Sequence, residues 1–210
     1  MIDLKIEGIK YNLPGLKQIQ LGKFVEYLDF ITEHEPQEGE EDPLSWLNFY
    51  TNHIAFWTNA DIKLIRKCKV EDIAGVYAVH NKYLAPVEDS TYNCFKCVDE
   101  IYYLPKKFMS DSTIEDFAEA SEYEKQLAEV LNGQYEALPK VASVLCRKEG
   151  ESFDDYNIEE RAKLFEEHLT AYDLFQIGFF LQRQSEKLQT NSEIYMKSQM
   201  LAALKQESRT

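Results

Sequence analysis

The sequence predicts an α+β protein, mainly α-helical, made of two degenerate repeats of a β-hairpin followed by several helices, plus a C-terminal helix. Two observations carry this. First, the chain repeats itself: Ile9–Phe30 (IKYNLPGLKQIQLGKFVEYLDF) runs from an extended apolar stretch through Leu-Pro and a polar spacer into a helix, and Ile101–Tyr123 does the same. Tyr11, Leu13 and Pro14 answer to Tyr102, Leu104 and Pro105. After a two-residue insertion, Leu21, Phe24, Glu26 and Phe30 answer to Ile114, Phe117, Glu119 and Tyr123. A strand-then-helix unit used twice is an architectural signal. Second, apolar residues alternate with period two only in short runs, while the longer apolar stretches keep helical spacing. The division that follows is 1–84 for the first hairpin-helix repeat, 85–91 for a linker, 92–189 for the second repeat, and 190–210 for a C-terminal amphipathic helix or tail.

In order along the first repeat, Ile2, Leu4 and Ile6 alternate with Asp3, Lys5 and Glu7, Glu7-Gly8 turns, and Ile9, Tyr11 and Leu13 return. Pro14-Gly15 stops the strand, because proline has no N–H for a ladder. A helix from about Ile19 to Ile31 follows, with Phe24, Leu28 and Ile31 on one face. His34–Asp42 (HEPQEGEED) holds five acidic residues and no base, and reads as a solvated loop. Pro43 suits a first helical turn, and Leu44, Trp46, Leu47, Phe49, Ile54, Phe56 and Trp57 fill an apolar helix that Thr58-Asn59 can end. Ile62, Leu64 and Ile65 then alternate with Lys63, Arg66, Lys67 and Lys69, the chain's only basic cluster. Val70–Leu84 supplies a helix with Val70, Ile73, Val76 and Tyr77 on one face.

Ala85–Thr91 (APVEDST) has a linker's composition. Tyr92–Cys97 and Ile101–Leu104 read as a second hairpin turning at Val98-Asp99-Glu100. Ser112 with Glu115 forms a capping box for a helix carrying Ile114, Phe117, Leu127, Val130 and Leu131, which stops at Asn132-Gly133. Pro139 opens a short helix through Val141, Val144 and Leu145, matching Pro43–Leu47. Lys148–Asp155 is a loop, and Asn157 with Glu160 caps a helix from Ile158 carrying Leu164, Phe165 and Leu169. The stretch with Tyr172, Leu174, Phe175, Ile177, Phe179, Phe180 and Leu181 is apolar nearly all round, as a helix in mid-core is, and answers to Ile73–Leu84. In the tail, Met196, Met200, Ala203 and Leu204 fall on one side of a helix. That stripe is the candidate partner-binding surface, since flexible thioethers adapt to irregular grooves. Its alternatives are packing back on the chain or fraying.

The totals exclude several classes. A net charge of −14 and a pI near 4.8 argue against a nucleic-acid binder, whose phosphate contacts need clustered Lys and Arg, and against an anionic membrane surface. No signal peptide is readable in Met1-Ile2-Asp3-Leu4, and Leu174–Leu181 is too short to cross a bilayer. Four cysteines suit a reducing compartment, so the expected location is cytoplasmic.

The sequence carries no Gly-rich phosphate loop, dinucleotide fingerprint, nucleophile elbow or His-Glu-x-x-His. Cys94-Phe-Lys-Cys97 is the candidate metal or redox pair. A structural zinc needs two further ligands, which Cys68, Cys146 and four scattered histidines would have to supply, and a redox couple wants a helix start where this segment reads as a strand. Glu166, Glu167 and His168 make a polar helix face with no pocket to mark them as an acid–base pair. The expectation is a protein without catalytic residues, metal or cofactor.

Tyr102-Tyr103-Leu104, Thr113–Phe117, Leu138-Pro139 and Asp173 to Phe179-Phe180 form a pattern that resembles small accessory proteins in the structural gene modules of tailed bacteriophages, of the tail-assembly-chaperone or baseplate-hub-assembly type. The pattern covers the second half of the chain and, more faintly, the first, and consists of hydrophobic positions. The resemblance implies a non-enzymatic protein that binds other phage structural or assembly proteins in the host cytoplasm during virion building, without nucleic acid or membrane, and with an oligomer open to it. The alternatives are a component retained in the virion, such as a head–tail connector or tail piece, and a metal-binding or enzymatic module centred on Cys94 and Cys97.

Overall fold

The computed structural model describes residues 2–37, 42–105, 138–152 and 155–184, and the structural statements below concern these residues. They form a mixed α+β, mostly helical fold with two separate antiparallel two-stranded sheets. No helix among them is long and apolar enough to cross a membrane.

Strands β1 (Ile2–Ile6) and β2 (Ile9–Leu13) pair from Ile2↔Leu13 to Ile6↔Ile9. Glu7 and Gly8 both have positive φ, 49° and 85°, which is the turn whose twist matches a two-residue hairpin. Strands β3 (Cys94–Cys97) and β4 (Glu100–Tyr103) pair from Cys94↔Tyr103 to Cys97↔Glu100, so the turn is Val98-Asp99 and Glu100 belongs to the strand. The Leu104 N–H extends this ladder to the Asn93 carbonyl at 2.9 Å. Leu104 therefore stands opposite Asn93 as Leu13 stands opposite Ile2, both leucines are buried, and a proline follows each. The helix expected from Ser112 onward lies outside the described residues, as do the capping box, Phe117 and the whole of 190–210.

Helix α1 is Leu21–His34, two residues shorter at its start than the apolar spacing predicts. The reason is a non-local pairing. The Leu21 N–H donates to the Leu169 carbonyl and the Ala171 N–H to the Ile19 carbonyl, both at 2.8 Å, so Ile19 and Gln20 are extended in a β-bridge. Helix α2 is Pro43–Thr58, with the Asp42 carboxylate accepting from the Leu44 N–H at 3.0 Å and Asn59 closing the helix at φ 54°. The short α3 (Ile62–Ile65) is capped by Asp61, and α4 is Val70–Leu84. In the second half α5 is Leu138–Leu145, α6 is Ile158–His168 with Asn157 as its cap, and α7 covers 171–184. Between α5 and α6, Arg161 pairs with Glu151, donates to the Cys146 carbonyl at 3.3 Å and lies over the Tyr156 ring.

Each half buries its own core. Leu13, Leu16, Ile19, Phe24, Tyr27, Trp57 and Leu84 pack together in the first, beside a smaller group of Ile6, Ile54, Ile65 and Ile73. Phe95, Tyr102, Leu104, Val141, Leu145, Phe165 and Leu169 form the second. Helix α7 belongs to both: Ala171, Tyr172 and Phe175 pack on the first core, Ile177 and Phe180 on the second. Residues 85–91 have little regular structure, yet they are fastened to α7 rather than spacing the halves apart. The buried Gln176 amide donates to the Val87 carbonyl and accepts from the Asp89 N–H, both at 2.8 Å, and Tyr172 donates to the Asp89 carboxylate.

Candidate functional site: a docking cleft backed by buried histidines

Helices α2, α3 and α4 enclose one side of the first core, and a chain of hydrogen bonds ties α2 and α4 to α1 and to the end of β2. Tyr27 of α1 lies 2.9 Å from His53 Nδ1 of α2. His53 Nε2 lies 2.8 Å from His80 Nδ1 of α4, and His80 Nε2 lies 2.8 Å from the Pro14 carbonyl. The carbonyl can only accept, so His80 carries its proton on Nε2 and accepts on Nδ1; His53 must then donate from Nε2 and accept from the Tyr27 hydroxyl. Every group is satisfied when all three are neutral. Burial, then His80, pushes the His53 imidazole down to about 3, and burial lowers His80 against the opposing pull of the Pro14 carbonyl. Burial also raises the Tyr27 phenol, with Tyr77 and Glu35 adding to it and the Trp57 indole opposing. Both histidines are fully buried, and the chain ends on a carbonyl that cannot pass a proton on. The arrangement therefore bolts α1, α2, α4 and the end of β2 together instead of serving acid–base chemistry.

On the other side of α2 the surface opens. Leu44, Leu47, Asn48 and Thr51 share one face of the helix, while His53 falls on the opposite face. Facing them are Ile65, Arg66, Cys68, Val70 and Ile73, and the cleft between has a volume of ≈ 520 Å³. Its floor is apolar and buried at Ile65 and Ile73. Its lips are apolar and exposed, Leu44 at 61% and Val70 at 59%. The polar features are modest: Arg66 donates to the Asn48 side chain at 3.3 Å, and the Thr51 hydroxyl is used internally by the Leu47 carbonyl. The Cys68 thiol is pushed up by burial and by Asp72 and Glu7, which keeps it protonated and a poor nucleophile at neutral pH. Among the described residues that line this open apolar trough no acid and base converge, and its shape suits apolar side chains. A smaller hollow of ≈ 230 Å³ between Gly15, Tyr83, Val87 and Tyr172 has the Lys17 ammonium over the Tyr172 ring, 4.3 Å from its centroid.

The expected site residues fare differently. Cys94 and Cys97 stand three apart on β3, so the alternation of a strand sends them to opposite faces, and Cys97 is buried while Cys94 is half-buried. Cys97 approaches the Leu164 carbonyl at 3.9 Å, and burial, then Asp173, raises its thiol to about 11. Strand alternation sets the two side chains on opposite faces of β3, and both cysteines are free thiols. Among the described residues no group of three or more His, Cys, Asp and Glu side chains is placed to hold a metal. Glu166, Glu167 and His168 end α6 at its exposed surface. Met196, Met200, Ala203 and Leu204 lie outside the described residues.

The sequence counts Leu44 among the residues of an apolar helix and Val70 on one helix face with Ile73, Val76 and Tyr77, and the structure leaves both exposed. Each sits in the first turn of its helix, where an apolar stripe overhangs the element it packs on. The sequence signal for His53 and His80 is their position on apolar helix faces, His53 one turn beyond Phe49 and His80 one turn beyond Val76 and Tyr77. No protein-family model, curated protein or solved structure matches the chain.

Proposed function

We propose that this protein is a non-enzymatic assembly chaperone or accessory protein of the tailed-bacteriophage type, working through protein–protein contact at the α2–α4 cleft. The observation that carries the contact is the pair Leu44 and Val70, large apolar residues left exposed on facing lips of an apolar trough. Exposed apolar surface beside a groove marks an interaction site, and an amphipathic helix laid into such a groove is a recurrent mode of recognition. The phage assignment rests on the hydrophobic pattern around Tyr102-Tyr103-Leu104 and Asp173 to Phe179-Phe180.

The test is co-purification with the structural proteins encoded beside it, using the double variant Leu44→Asp, Val70→Asp. Both side chains are exposed, so the melting temperature is expected to stay within a few degrees while the complex is lost. A complex that survives with both lips charged contradicts the reading. Mass spectrometry of purified particles separates a chaperone, which departs on maturation, from a retained structural component.

A further inference from the structure

We propose that the cleft takes an acidic amphipathic helix of a partner protein, its apolar residues seated between Leu44 and Val70 over Ile65 and Ile73, and its carboxylates against Arg66, Lys67 and Lys69. This inference rests on the docking reading of the same cleft and adds the chemistry of the occupant.

The argument is one of charge. In a sequence of net charge −14, the only basic cluster is Lys63, Arg66, Lys67 and Lys69, and it runs from α3 into the segment that borders this cleft. Arg66 lines the trough itself, and Lys67 and Lys69 flank Cys68, which also lines it. All four are exposed, and among the described residues none forms an ion pair, the Arg66 guanidinium resting on the neutral Asn48. Acids lie near them too: Asp61 accepts from the Lys63 N–H at 2.9 Å, Glu71 and Asp72 lie in the first turn of α4, where the helix amides favour negative charge, and Asp72 and Glu7 act on the Cys68 thiol. In a chain that is acidic as a whole, an acidic segment meets opposite charge at Arg66, Lys67 and Lys69, and a basic one meets like charge from the same three. Exposed charges of this kind set partner choice and association rate more than they add affinity, and the apolar seat supplies the rest.

Two synthetic helical peptides with one apolar face test this, one carrying Glu and the other Lys at every polar position, each titrated against the full chain by fluorescence anisotropy. The Glu peptide is expected to bind at least about tenfold more tightly, with the gap closing as salt is raised. Lys67→Glu with Lys69→Glu, a change confined to exposed side chains, is expected to reverse the preference. If the Lys peptide binds the native protein equally well, and Leu44→Asp with Val70→Asp abolishes it, docking stands and the acidic occupant is wrong. If neither peptide binds, or binding ignores the charged lips, both readings fail. A native dimer in sedimentation that the same double variant dissolves identifies a second copy as the occupant and overturns the proposal.

Discussion

His53 and His80 are structural residues, each held between hydrogen-bond partners inside the first core. Each is neutral in the fold and has its proton count fixed by the Pro14 carbonyl at the end of the chain. Their folded pKa values are depressed, so the unfolded chain takes up protons that the folded chain refuses. Stability is therefore level above the ordinary histidine pKa of about 6.5 and falls as pH drops below it, with a slope approaching one proton, or about 1.4 kcal/mol per pH unit, from His53 and a further contribution of the same sign from His80. The loss attributable to His53 continues toward about 3. Urea unfolding between pH 7.5 and 5 checks this, and His80→Phe should make the slope shallower by removing the His80 contribution. The same variant strands the His53 N–H and the Pro14 carbonyl, for a cost of about 3 kcal/mol at pH 7.5. Nothing at this scale was legible beyond the two histidines' positions on apolar faces, because a hydrogen-bond chain across α1, α2 and α4 is a tertiary fact.

Among the elements, the hairpins were the most legible part. Period-two alternation and the Leu-Pro stop locate both, and their ladders close on Leu13 and Leu104 in the same way. Their turns differ in quality. Gly8 supplies positive φ at no steric cost, whereas Val98 holds φ 56° with a branched Cβ. Val98→Asn should relieve that conformation and raise stability by about 1 kcal/mol, read as a higher urea midpoint with an unchanged slope. A lower midpoint would mean that the exposed Val98 side chain contributes packing that outweighs its strain. The start of α1 was misread for a reason the local sequence cannot contain: Ile19 and Gln20 are helical in their apolar spacing but are held extended by Leu169–Ala171 from the far half of the chain. The lips of the cleft are not legible in the sequence, because a first-turn apolar residue looks the same whether or not a neighbour covers it.

On the scale of the whole molecule, α7 is the feature on which the two halves depend. Its all-round apolar composition marked it as a core helix, and the structure shows why no face is spared: Phe175 packs on one core and Ile177 and Phe180 on the other. The connection at 85–91, polar and proline-containing, looked like a spacer, but Gln176 and Tyr172 fasten it to the same helix. Removing half of the molecule would thus expose one side of α7, and unfolding should be a single transition. Both tryptophans, Trp46 and Trp57, lie in the first half. Their fluorescence should lose its native signal along the same denaturation curve as the far-ultraviolet circular dichroism of the whole chain, and two separated midpoints would show the halves to be independent.

The central claim is that a partner is held in the trough between α2 and α4, and amide hydrogen exchange of the complex with its co-purifying structural protein tests it most directly. The account predicts slowed exchange over residues 44–51 and 65–73, with β3, β4 and α6 unchanged. Protection confined to the second half, or to residues 190–210, with α2 exchanging as in the free protein, would contradict it.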